Sequence, residues 1–116
     1  MNAEKIINNI IKPEVDLMNL KFIKSTYHIK DGDVFIKFEY NVLNSKFNII
    51  SVISWIQFQV RRYNIKNNLK TLHFAAWDDT KEFDFQNSDY SFFLYFLMHE
   101  YEFDQKIIDN LSNFIV

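Results

Sequence analysis

Asp31-Gly32 joins two stretches of alternating character, FIKSTYHIK (22–30) and VFIKFEYNVL (34–43). Gly32 is the chain's one glycine, and it stands where a two-residue hairpin turn needs a positive φ. In the second arm Val34, Ile36, Phe38, Tyr40 and Val42 share one face, while Lys37, Glu39 and Asn41 point the other way. The pattern predicts a β-hairpin over residues 20–43 with a type I′ turn and one buried face. A hairpin cannot fold alone, so the rest of the chain must supply more strands and a covering layer.

Around this hairpin the signals are mixed. Ile6, Ile7, Ile10 and Ile11 form one apolar stripe, which predicts a helix over residues 2–12, capped by Asn2 and stopped before Pro13. The segment FNIISVISWIQFQVRRYNI fits two periods. As a strand it lines up Ile50, Val52, Ile56, Phe58 and Val60; as a helix it lines up Ile49, Ile53, Ile56 and Val60. Its many β-branched residues favour the strand over residues 47–63, entered by a turn at residues 44–46. After a loop at NIKNN, LKTLHFAAW reads as another strand, and TKEFDF as a further short one. Residues 88–103 are again ambiguous. Tyr90, Phe93, Leu94, Leu97, Met98 and Tyr101 recur at helical spacing behind Ser88, which favours a helix. DQKIIDNLSNFI is a final helix with Asp104 as N-cap and a stripe of Ile107, Ile108, Leu111 and Phe114. The expected architecture over residues 1–116 is a single α+β domain: an antiparallel sheet of four to five strands backed by N-terminal and C-terminal helices.

Several function classes find no anchor in the residues. There is no cysteine, hence no disulfide framework, thiolate metal site or cysteine nucleophile. One glycine leaves no phosphate-cradling loop, and no serine sits in a G-x-S-x-G setting. HEYE at His99 lacks the second histidine of a zinc-protease helix, with Phe103 in its place. His28, His73 and His99 have no metal-site spacing, and Asp31-Gly32-Asp33 is explained by the turn. The adjacent carboxylates Asp78–Asp79 and Glu100–Glu102 do not supply the cleft-spanning geometry of a glycosidase or metal-dependent nuclease. Arg61, Arg62, Lys66 and Lys70 near Trp55, Tyr63 and His73 give a thin case for nucleic acid, against a sequence pI near 5.9. No catalytic residue, cofactor or metal is therefore expected. The longest apolar run, Phe92 to Met98, is too short to span a bilayer, and the N-terminus lacks a signal-peptide pattern, so the expectation is a cytoplasmic protein.

Charge is laid out unevenly. Residues 47–77 carry four bases and no acid, whereas residues 78–116 carry nine acids against Lys81 and Lys106. The acidic part is also rich in aromatics. Carboxylates beside exposed rings suit an interface with an anchoring centre and an orienting rim. The expected function is a non-enzymatic protein-binding module. More narrowly, it is a small acidic inhibitor of the toxin-immunity type that occludes the basic active site of a partner such as a toxin nuclease. Its expected contacts are Asp78, Asp79, Glu82, Asp84, Asp89, Glu100, Glu102 and Asp104, with Trp77, Tyr90 and Tyr101 supplying contact area. Three alternatives stand beside it. One is a phage-encoded inhibitor of a host nucleic-acid-processing or defence complex. Another is a ligand-binding or enzymatic α+β domain with its histidines around a pocket. The last is a homodimer that buries the aromatic surplus, so both monomer and homodimer remain open.

Overall fold

The structure, a computed structural model, describes residues 11–44, 47–80 and 90–114. Its elements are α1 (Glu14–Met18), β1 (Leu20–Lys30), β2 (Asp33–Val42), α2 (Ile49–Asn67), β3 (His73–Thr80), β4 (Tyr90–His99), a 3-10 turn (Glu100–Glu102) and α3 (Gln105–Ser112). The four strands form one antiparallel sheet in the order β1-β2-β4-β3. The class is α+β, as the sequence predicts.

The hairpin forms as its residues dictate. Asp31 and Gly32 both take positive φ, at 54° and 82°, which is what a type I′ turn requires. The Gly32 carbonyl also accepts the Glu100 backbone N–H at 2.8 Å, tying the turn to the end of β4. In β2 the residues from Val34 to Val42 that share the apolar face are all buried. β4 pairs with β2 so that Phe92, Leu94, Phe96 and Met98 lie beside Tyr40, Phe38, Ile36 and Val34. These side chains make a continuous apolar plane, with Phe96 edge-on to Phe38 at 5.5 Å between ring centroids.

α2 and α3 cover that plane. Val52, Ile53, Ile56 and Val60 of α2 join it, as do Ile107, Ile108 and Leu111 of α3. Further bonds fix the layer from its edges. Trp55 Nε1 donates to the Phe114 carbonyl at 2.9 Å, and Asn48 N donates to Asp16 Oδ1 at 2.9 Å. Asp104 caps α3 by accepting from Lys106 N, as expected from its position.

Two expectations are corrected. Residues 47–63 are helix, not strand. Asn48 accepts from Ser51 N as the N-cap, and Asn68 ends the helix in the left-handed region at φ 53°, a role that glycine more often fills. The helical stripe buries Ile53, Ile56 and Val60 in one line, whereas the strand alternative places Ile50, 67% exposed, among buried residues. Tertiary burial thus overrides β-propensity here. Residues 88–103 show the reverse error. From Tyr90 to His99 they are a strand, because alternate residues from Tyr90 to Met98 reach the core while those between do not. The N-terminal helix expected over residues 2–12 falls mainly outside the described residues, and Ile11 and Lys12 have no regular structure. The strand expected at TKEFDF also lies outside them beyond Thr80, as does Ser88.

The corrected helix makes a prediction. Ile56→Ala, at a fully buried site, should lower unfolding free energy by about 2–5 kcal/mol. Ile50→Ala, on the solvent side of the first turn, should change it by less than about 0.5 kcal/mol. Urea denaturation of both variants checks the register; equal losses would contradict it.

Candidate functional site

An antiparallel sheet with one wet face ordinarily alternates apolar-in and polar-out. β4 breaks that rule. Its residues between the core positions are Ser91, Phe93, Tyr95 and Leu97, three of them large and apolar or aromatic, and each only partly buried. They sit on the sheet face opposite α2 and α3. β2 adds Phe35, 39% exposed, on the same side. Among the described residues no helix covers this face.

Register fixes who meets whom across it. One rung runs Lys24, Glu39, Phe93, Asp78; the next Thr26, Lys37, Tyr95, Ala76; the next His28, Phe35, Leu97, His73. Within the face, His28 stacks on Phe35 at 4.9 Å with planes 9° apart. Lys37 Nζ lies 4.6 Å from the centre of the Phe93 ring. Burial, and next the charge of Asp78, raise the Tyr95 hydroxyl above its ordinary pKa, so it remains a neutral donor. A shallow depression of about 220 Å³ opens between Thr26, His28, Phe35, Lys37, Tyr95 and Leu97. Ala75, the residue at the β3 register shift between Phe74 and Ala76, also lines it. The face is therefore an aromatic and aliphatic centre with lysines toward β1 and Asp78 on the β3 edge.

The described acids of the set expected to form one surface are not together. Asp78 is exposed on the open face. Asp79, its neighbour, points to the helix side and raises the pKa of Tyr90, second to burial. Glu100, Glu102 and Asp104 lie past the far end of β4. Seven residues at about 3.3 Å each put Glu100 roughly 23 Å along the strand from the Asp78 rung. Glu82, Asp84 and Asp89 lie outside the described residues. The fold engages Asp104 and Glu102 directly. Asp104 is a helix cap. Glu102 accepts from the backbone N–H groups of Lys70 and Thr71 and from the Thr71 hydroxyl. Thr71 Oγ1 in turn accepts from His99 N at 3.0 Å. This network ties the α2–β3 loop to the end of β4.

The aromatic contacts divide similarly. Tyr90 is a correction: it is 6% exposed and belongs to the core, so it offers a partner no contact area. Trp77 is on the helix side of the edge strand β3, partly exposed, its ring 6.4 Å from Phe92. Tyr101 is the free-standing one, 76% exposed beside His99.

The histidines do not converge. His28 and His73 share a rung but stand on opposite edge strands, about 14 Å apart at the usual strand spacing, too far for one metal ion. Among the described residues no group of three His, Cys, Asp or Glu side chains is placed to hold a metal. Further cavities lie elsewhere, among them one of about 480 Å³ beside Pro13, Asp16 and Ser51. One of about 490 Å³ is bounded by α1, β1 and Ser112, with mainly apolar walls. One of about 390 Å³ lies between α2 and β3, beside Arg61 and His73. Asn64 borders it, donating to the Leu72 carbonyl at 2.7 Å and leaving its Oδ1 buried without a partner. No described helix is long and apolar enough to cross a membrane.

No family model, curated protein or solved structure matches the chain.

The Glu102 network generates a pH prediction. The Thr71 hydroxyl, the two backbone N–H groups and nearby His99 hold the Glu102 carboxyl below its ordinary value of 4.5, against a smaller opposing effect of burial. A carboxyl depressed on folding stabilises the fold above its unfolded pKa, and that contribution fades as pH falls through the folded value. Glu102→Gln should therefore be less stable than the parent at pH 7. The gap should narrow steadily below about pH 4.5. Denaturant unfolding at pH steps from 7 to 2.5 measures it; a gap that is constant with pH would show that the charge does not matter.

Proposed function

We propose that this chain is a non-enzymatic protein-binding module that works through the open face of its sheet. The observation that carries the reading is the composition of β4. Phe93, Tyr95 and Leu97 lie on the side away from the helices, next to Phe35 on β2. Apolar residues on both faces of a strand are the pattern of a sheet covered on both sides. Exposed contiguous apolar area of this kind marks interaction sites on soluble proteins. Rings at the centre with lysines and a carboxylate at the margins match the anatomy of a protein interface.

The narrower reading, an acidic inhibitor that covers a basic nuclease site, draws less support from the geometry. Of its acids, Asp78 and Glu100 are exposed and distant from each other, while Glu102 and Asp104 are engaged by backbone N–H groups. Asp78 remains a contact in the broader proposal, now as part of the margin of the open face.

A photo-reactive phenylalanine analogue at position 93 tests the proposal in the native host. The expected result is covalent adducts to protein from position 93 and none from the same analogue at Arg62, which is exposed on α2. Absence of protein adducts, adducts to nucleic acid alone, or equal labelling from both positions would each reject it.

A further inference from the structure

We infer that the occupant of the open face is a second copy of this chain, stacked sheet to sheet about a two-fold axis parallel to the strands. The inference rests on the binding-module reading above and names its partner. The argument is electrostatic and geometric. Along β1 the open face carries Lys21, Lys24 and Lys30; across the sheet, β3 presents Asp78. Charge thus changes sign from one edge strand to the other. A two-fold interface must be self-complementary, with each residue meeting its counterpart's partner in both directions.

Two simple axes bring such a face against itself. An axis across the strands lays β1 over β1 of the second copy and sets lysine against lysine. An axis along the strands, between β2 and β4, lays β1 over β3 of the second copy and keeps every rung level. The rung that holds Lys24, Glu39, Phe93 and Asp78 then sets Lys24 of each copy over Asp78 of the other. The next rung sets Lys37 against Tyr95, an ammonium over a ring. The one after sets Phe35 against Leu97, apolar against apolar. Lys24 and Asp78 are both exposed on this face.

The extent of the face is adequate. Four strands at about 4.8 Å spacing, nine residues long at about 3.3 Å each, project to about 570 Å² before side-chain relief is counted. That is on the scale of the roughly 800 Å² per partner that stable interfaces bury. Aligned stacking of twisted antiparallel sheets, rotated by about 30°, is a common packing mode and keeps the central rungs in contact.

Sedimentation equilibrium from about 1 to 500 µM provides the test, with circular dichroism to confirm that each variant is folded. The parent chain should approach twice its 14.1 kDa mass. Lys24→Glu and Asp78→Lys should each weaken dimerisation roughly tenfold or more, because symmetry turns both ion pairs of the dimer into like-charge contacts. The double variant K24E/D78K should recover at least roughly tenfold over either single one, since the pairs are re-formed with signs exchanged. A parent that stays monomeric throughout overturns the inference. So does a dimer indifferent to either charge reversal, or one that the double variant fails to recover. Adducts from position 93 to a different protein, with a monomeric chain, would reject the self-pairing while leaving the binding-module reading standing.

Discussion

The pairing of β2 with β4 is the constraint on which the remaining structure depends. Tyr40, Phe38, Ile36 and Val34 face the same way as Phe92, Leu94, Phe96 and Met98, in direct register. A slip of one residue would turn either set of side chains to the other face, and the cost of exposing them makes the register strongly specified. With that plane in place, α2 has one apolar stripe to lay on it, and α3 can add Ile107, Ile108 and Leu111. The same register sets the opposite face. Because side chains alternate, the rungs that bury Phe92 and Leu94 oblige Phe93 and Tyr95 to stand outside, among Lys37, Glu39 and Asp78. Core and open face are two consequences of a single alignment.

The negative charge of the last third of the chain serves several local ends. Asp104 begins a helix, Glu102 holds the α2–β3 loop, and Asp79 sits beside the core tyrosine Tyr90. A carboxylate that accepts several backbone N–H bonds is part of the fold, and its charge is largely answered by those donors. Linear charge counts cannot distinguish such groups from solvent-facing ones. In β3 the alternation separates Asp78 from Asp79 by the thickness of the sheet, although they are neighbours in sequence.

The hairpin was legible because its evidence is local. An Asp-Gly turn and a period of two agree, and no distant contact is needed to choose between them. Asp104 and the last helix were legible for the same reason. α2 and β4 were not, because each carries apolar residues at positions that satisfy both periods. Ile56 and Val60 lie on the apolar stripe in either reading, and only the presence of a sheet to cover makes the helix the better solution. In β4, Leu94 and Met98 belong to the helical stripe and to the strand's core face alike. The open face followed from that second ambiguity. Lys37, Glu39 and Asn41 were visible as the outer side of β2. Their neighbours Phe93, Tyr95 and Leu97 become an outer side only once β4 is a strand. A usable signal was present nonetheless: a ten-residue segment apolar in both parities, the pattern of a strand with apolar residues on both faces.

The edges of the sheet favour association through its face. β1 is a long edge strand, an open template for another strand. It carries lysine at positions 21, 24 and 30 and has an irregularity between Phe22 and Lys24, both of which discourage continuous pairing. Two β1 edges brought together would align those lysines on each other. β3, the other edge, is bulged between Phe74 and Ala76. The bulge residue Ala75 lines the depression beside Tyr95, and the irregularity interrupts the ladder that an added strand would need. Both edges are therefore poor docking strands, whereas the face between them carries Phe35, Phe93, Tyr95 and Leu97 beside Lys37 and Glu39 and is opposite in charge at its two margins. A sheet that guards its edges, with its centre uncovered by any described helix, favours association perpendicular to the sheet, and the sign change from β1 to β3 selects which rotation brings two such faces together.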